Sequence, residues 1–195
     1  LLRGDGAARR GGVVQAASQP ELGAWGQLVA VGTGAEVVKL YPNNRGLVAQ
    51  GLKRIRAGAL QAGISGLFLA AGRQANVATA FDFGFALGPR INAAGRLSDM
   101  TLGIECLLTD DVARGEELAK TLDNINRQRR DIEAGMREQA ELAADAMTDE
   151  DEPPPPAIAN FDPDFQECVV GILASRIKSQ MQPQPHVLTV LQLPR

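Results

Sequence analysis

A chain of 195 residues with 45% hydrophobic side chains can bury one large core or two small ones, which excludes disorder along its whole length. Only 4% of the residues are aromatic while Ala, Leu, Val and Gly abound, a balance that favours helices packed on a buried sheet, an α/β fold, over an all-β sandwich. The net charge of −3 excludes a uniformly basic nucleic-acid coat, although arginines gathered on one face would not show in the total. No apolar run approaches the ~20 residues of a membrane span and no signal peptide is visible, so a soluble cytoplasmic protein is expected. Cys106 and Cys168 lie in apolar runs without metal-ligand spacing; buried free thiols are the simplest account, a disulfide the alternative, and structural zinc is not expected.

Residues 1–26 are rich in Gly, Ala and Arg without a sustained period, and the chain starts without Met, so it reads as cut from something longer. Leu28-Val29-Ala30-Val31, ended by Gly32-Thr33-Gly34, predicts a buried strand feeding a turn, the place where ligands collect in an open α/β sheet. Glu36 then projects at the sheet's mouth, as a ligand-binding carboxylate or as a solvated turn residue. Tyr41-Pro42-Asn43-Asn44 predicts the cap of a helix with Val48, Leu52 and Ile55 on one face. Lys53, Arg54 and Arg56 suit the C-terminal dipole of that helix, and Gly58 its left-handed stop. A short helix fits residues 64–71, between Gly63 and Gly72, while Phe81, Phe83 and Phe85 alternate with Asp82 and Gly84 in a segment that is either strand or short helix.

The run Leu87-Gly88-Pro89-Arg90-Ile91-Asn92-Ala93-Ala94-Gly95-Arg96-Leu97 crowds Gly, Pro, Asn and Arg together. Its glycines and proline suit a backbone that approaches a ligand closely, and its arginines supply forked donors for phosphate or carboxylate oxygens. The competing reading is a plain turn with two exposed arginines. Ser98 or Asp99 then caps a helix through Met100, Ile104, Leu107 and Leu108. Over residues 112–147 the apolar positions Leu118, Leu122, Ile125, Ile132, Met136, Ala140, Ala143 and Met147 form a near-heptad seam whose one missing rung is Arg129. Such a helix reaches roughly 50 Å and is expected to join two bodies; Arg127, Arg129, Arg130 and Arg137, among Glu133, Glu138 and Glu141, also fit a solvated charged face. The acidic and proline-rich residues 149–156 predict a linker and domain boundary. Beyond it come a strand at 157–159, a helix over 169–181 and a strand at 187–191.

Three of these stretches, FGFALGPRINAAGRLSDMTLGIECLL (83–108), LDNINRQRRDIEAGMREQA (122–140) and CVVGILASRIK (168–178), together resemble the RecJ family of single-strand-specific 5′-to-3′ DNA exonucleases in the DHH phosphoesterase superfamily. Residues 28–58 are similar to the same family. The resemblance implies that 1–108 is the rear of a DHH catalytic domain, 109–148 a connecting helix, 149–156 a linker and 157–195 the start of a DHH-associated α/β domain, with single-stranded DNA held between the domains. It further implies two divalent metals, manganese or magnesium, which activate water and neutralise phosphate oxygens in phosphodiester hydrolysis. It implies phosphate contacts from Arg90, Asn92, Arg96, Ser175 and Arg176, and a role with DNA-repair proteins in repair and recombination.

The metal site is where the chain departs from the family. Glu36 stands at a metal-binding aspartate, Gln27 at another family aspartate, and Phe165-Gln166-Glu167-Cys168 where the family has Trp/Phe-His-x-Gly. The only histidine is His186, and the Asp-His-His triplet belongs upstream of the matched region. The chain alone is therefore expected to be inactive. Two alternatives remain open: another DHH phosphoesterase acting on short oligonucleotides, cyclic dinucleotides or pyrophosphate, and a non-catalytic DNA-binding or scaffold protein. The long arginine-bearing helix favours a polynucleotide over the small substrates.

Overall fold

The computed structural model describes residues 22–146, 157–180 and 187–191. The expected linker at 149–156 and His186 lie outside them. The chain divides into two compact units, one up to Asn124 and one from Ile125.

The described part of the first unit is helical. Its helices are α1 (Gly26–Ala35), α2 (Pro42–Arg56), α3 (Ala62–Ala70), α4 (Ala80–Asp82), α5 (Gly88–Leu97), α6 (Met100–Leu108) and the first part of α7 (Val112–Asp145). A π-helical turn, Phe83–Leu87, links α4 to α5. The strand expected at Leu28-Val31 is instead α1, with Gln27, Ala30 and Val31 buried at helical spacing. A continuous apolar run of this length does not distinguish strand from helix, and small residues decide the matter here. A Cβ on Gly34 would collide with Phe83, and one on Gly51 of α2 with Ala30, so these glycines let backbones close in on one another.

The same correction applies to the Gly-Pro-Arg motif, which is a helix rather than a ligand-hugging loop. Pro89 sits in the first turn of α5, directly after the π-helical turn. A Cβ on Gly88 would lie 2.9 Å from Phe83 O and 3.0 Å from Ala35 Cα, so Gly88 serves the packing of α1 on the π-turn. The core of the unit gathers Val31, Ile55, Leu67, Phe68, Phe83, Leu87, Leu118 and Leu122. Asp99 is the cap of α6, accepting from Thr101 N at 2.8 Å.

Three helices of this unit end in the same doubly hydrogen-bonded cap. After α2, Gly58 N donates to Ile55 O and Ala59 N to Arg54 O, both at 3.0 Å; after α3, Gly72 N donates to Leu69 O at 3.0 Å and Arg73 N to Phe68 O at 2.9 Å. After α1, Val37 N donates to Gly34 O and Val38 N to Thr33 O, both at 3.1 Å. The turning residue is glycine at φ +78° and +64° in the first two and Val37 at φ +50° in the third. A β-branched residue in that conformation is strained.

In the second unit the rest of α7 packs with α8 (Glu167–Gln180) through Met136, Ala140, Phe165, Val169, Leu173 and Ile177. Strands β1 (Ala157–Phe161) and β2 (Val187–Leu191) pair in parallel, from Ala157 opposite Val187 to Phe161 opposite Leu191, as the β-α-β reading expects. These are the only strands among the described residues, which are mostly helical, in place of the helices on a buried sheet that the composition predicts.

Candidate functional site

Arg90 is turned into the first unit. Its Nη1 donates to Ala86 O at 2.6 Å and its Nη2 meets Asp123 of α7 at 2.8 Å. The two side chains are 12% and 8% exposed, and Arg90 Nε is buried without an acceptor. Most of this guanidinium is committed to joining α5 to α7. Asn92 and Arg96 lie four residues apart on another face of α5, Asn92 half-buried and Arg96 exposed, so the amide and the guanidinium share one helix face.

Ser175 and Arg176 sit in the middle of α8 and both are exposed. Arg176 Nη1 lies 2.7 Å from Glu133 Oε1 of α7, an ion pair rather than an aligned hydrogen bond. Glu133 Oε2 takes Arg129 Nη1 at 2.5 Å, and Arg129 Nε faces Asn126 Oδ1 at 3.5 Å. Glu133 and Arg129 are buried, whereas the Arg176 side chain is 54% exposed. The rung missing from the apolar seam is thus filled by a buried charge pair, not by a solvated arginine.

Glu36 caps the C-terminus of α1 and is exposed, one residue before the strained Val37. Gln27 lies nine residues earlier on α1, roughly 14 Å along the axis, so the two cannot share an ion. Gln27 is 4% exposed. With its amide nitrogen facing Ala59 it donates to Ala59 O and accepts from Gln61 N at 3.2 Å, a pairing in which a carboxylate could supply no donor. It borders a cleft of about 780 Å³, shared with Trp25, Arg54, Gln61 and Asp110, that contains none of the motif residues. Gln166 caps α8 through its carbonyl, which accepts from Val169 N at 2.9 Å and Val170 N at 3.2 Å. Among the described residues no three His, Cys, Asp or Glu side chains converge as a metal group would need. The described residues do not fit the two-metal centre that the resemblance implies.

Cys106 is a buried free thiol packed on Gly63, as expected, and burial first, then the nearby Glu105, pushes its pKa up to about 11. Sequence reading missed Asp123 and Glu133 as partners of the motif arginines. The one signal was that Arg129 in the apolar seam has Glu133 four positions on, which marks Glu133 as buried and paired but points neither to Asp123 nor to Arg176.

The two units share one helix, and a Gly-Pro-Arg and an Ala-Ser-Arg arginine are each paired to a carboxylate of that helix. The chain is 47% identical over 163 residues to the single-stranded-DNA-specific exonuclease RecJ of Dickeya dadantii, covering 84% of this chain and 28% of that protein. It is 45% identical over 161 residues to RecJ of Escherichia coli, covering 83% and 28%. The crystal structure of Thermus thermophilus RecJ in complex with Mg2+ superposes with a TM-score of 0.74 at 33% identity over 94% of this chain and 27% of that one. A crystal structure of exonuclease RecJ bound to manganese gives 0.73 at 34% identity over 89% of this chain and 42% of that one. No family model matches the sequence. Over the stretch that it matches, the chain is homologous to RecJ, and it spans about 28% of the length of those curated relatives. No helix among the described residues is long and apolar enough to cross a membrane.

Proposed function

We propose that the chain is the nucleic-acid-holding part of a RecJ-type single-stranded-DNA-specific 5′-to-3′ exonuclease, working in the cytoplasm with other proteins of DNA repair and recombination. The observation that carries this reading is the 47% identity over 84% of the chain to a single-stranded-DNA-specific exonuclease. The chemistry of the exposed groups supports it. Arg176 and Ser175 on α8, and Asn92 and Arg96 on α5, offer guanidinium forks, a hydroxyl and an amide, which satisfy phosphate oxygens without reading bases. Arg90 supports α5 from behind through Asp123.

Cutting is a separate matter. The solved relatives hold Mg2+ or Mn2+, and of the metal-binding positions that the resemblance implies, this chain offers the exposed carboxylate of Glu36 without a second acidic, histidine or cysteine cluster among the described residues. The chain by itself is expected to hold single strands without trimming them. That want of a three-residue ligand group among the described residues also favours a second reading, a nuclease-derived binding protein that never cuts. Manganese titration bears on this: heat of binding that rises in Glu36→Asp speaks for a residual ligand position and against the binding protein, whereas none in either chain fits both the binding protein and a fragment of the exonuclease.

The holding role is tested with a 5′-phosphorylated oligodeoxythymidine over a series of salt concentrations. Arg96→Ala and Arg176→Ala should each weaken binding and flatten the logarithmic salt slope by roughly 0.7 per lost phosphate contact. Unchanged affinity and slope in both variants would defeat it.

A further inference from the structure

The buried charges of α7 need an explanation beyond stability. Arg129 and Glu133 are 8% and 3% exposed, and an apolar pair of similar volume would hold the seam at least as well. The arrangement around Glu133 supplies the explanation. One carboxylate oxygen is taken by Arg129 at 2.5 Å and the other faces Arg176 at 2.7 Å. Two positive charges surround one negative, and the buried member, Arg129, is spent inside the unit. The surplus charge is therefore displayed by Arg176, with Nη1 engaged and the remainder of the fork on a side chain that is 54% exposed.

We propose that Glu133 is a positioning residue for Arg176: it fixes the guanidinium ahead of a phosphate without meeting the phosphate itself, and Arg129 fixes Glu133. The inference rests on the reading of Arg176 as a phosphate contact. An exposed arginine normally surrenders many rotamers on binding an anion, and a carboxylate already immobilised by burial and a second arginine removes much of that cost beforehand. The cost of this device is a negative charge close to the ligand. The two effects have opposite signs, which makes the proposal testable: if orientation dominates, moving the carboxylate weakens binding, and if repulsion dominates, neutralising it strengthens binding.

The test uses the full 195-residue chain and a 3′-labelled, 5′-phosphorylated oligodeoxythymidine, read by anisotropy, with the Arg176 Nε–H resonance followed by NMR. Glu133→Asp keeps charge and burial but withdraws the carboxylate by one methylene. Arg129→Met/Glu133→Gln removes both buried charges together and guards against a single variant that fails to fold. Both should bind roughly three- to ten-fold more weakly, and in both the Arg176 signal should change from ordered to averaged before DNA is added. Binding equal to or tighter than the parent's, while Arg176→Ala still weakens it, overturns the positioning role and leaves the phosphate contact standing. Arg176→Ala binding like the parent defeats the underlying contact, and the proposal with it. An Arg176 side chain already averaged in the DNA-free parent overturns the proposal without any variant.

Discussion

Arg90 meets Asp123 at 2.8 Å and Arg176 meets Glu133 at 2.7 Å, yet the first pair is closed to water on both sides and the second on one. In the first unit both side chains are 12% exposed or less, and the guanidinium is further tied to the carbonyl of Ala86. In the second, the carboxylate is buried and the arginine half open. Both carboxylates come from one helix and both arginines from motifs with the same family resemblance. Burial alone separates a strut, whose charge is consumed within the fold, from a presented group, whose charge still meets solvent.

The strongest way to break this comparison is to remove the carboxylate of the strut. Asp123→Ala leaves the Arg90 charge buried with only the Ala86 carbonyl, and should cost about 3–5 kcal/mol of unfolding free energy, read by urea denaturation of the first unit. Replacing both charges, as in Arg90→Met/Asp123→Leu, should recover most of that. A single-variant loss below about 1 kcal/mol would mean that Arg90 is held by other means and that the two arginines are not different in kind.

A smaller effect is expected at the end of α1. Gly58 and Gly72 close α2 and α3 in the left-handed conformation that Val37 adopts beside Glu36. Val37→Gly should therefore stabilise the chain by about 1 kcal/mol, measured as an upward shift of the thermal midpoint. Destabilisation would show that the exposed valine is held by contacts that outweigh its backbone strain. Smaller again is the stability change in Arg176→Ala, under about 1 kcal/mol, because its half-exposed guanidinium leaves Glu133 still paired with Arg129. A loss as large as that of Asp123→Ala would make Arg176 a second strut.

Much of this was legible in the sequence wherever local chemistry decided the outcome. The face of Val48, Leu52 and Ile55, the Gly58 stop, the Asp99 cap and the length of α7 follow from periodicity and capping, which act within a few residues. The segment Leu28-Val31 reads as a strand when Gly32 and Gly34 are weighed as turn formers, whereas Gly34 is small in order to admit Phe83, as Gly51 of α2 is to admit Ala30. That reason lies in other parts of the chain. The Gly-Pro-Arg motif failed in the same way: its residue types suit a loop, and only the approach of Ala35 to Gly88 shows why a helix needs them. For the site, the resemblance pointed to Arg90 and Arg176 alike. Their separation into strut and presented group depends on Asp123 and Glu133, whose spacing from the arginines in sequence carries no signal.

A third arginine completes the series at its exposed end. Arg114 bonds Glu105 at 2.7 Å and Glu117 at 2.8 Å, with all three side chains at least 40% exposed. The hydrogen bond from Arg114 holds the Glu105 carboxyl below its ordinary range, and the Thr101 N–H does the same for Asp99 at the start of α6. A carboxyl lowered in the folded state contributes stability that is complete above its unfolded pKa, near 4.5 for Glu105 and 3.8 for Asp99, and is lost as the pH falls through the folded value. Chemical denaturation from pH 6 down to pH 2, with pH values set by about two units either side of the carboxylate range, should thus show stability declining on the acid side. Glu105→Gln should flatten part of that decline, and should do so less in concentrated salt, because water and ions already screen an exposed pair. Asp99→Asn keeps a competent helix cap while deleting the titration, so it should flatten the decline with little change near neutrality. If both variants track the parent across the acid limb, these exposed pairs contribute nothing to folding, and the gradient from strut to surface pair ends at Arg176.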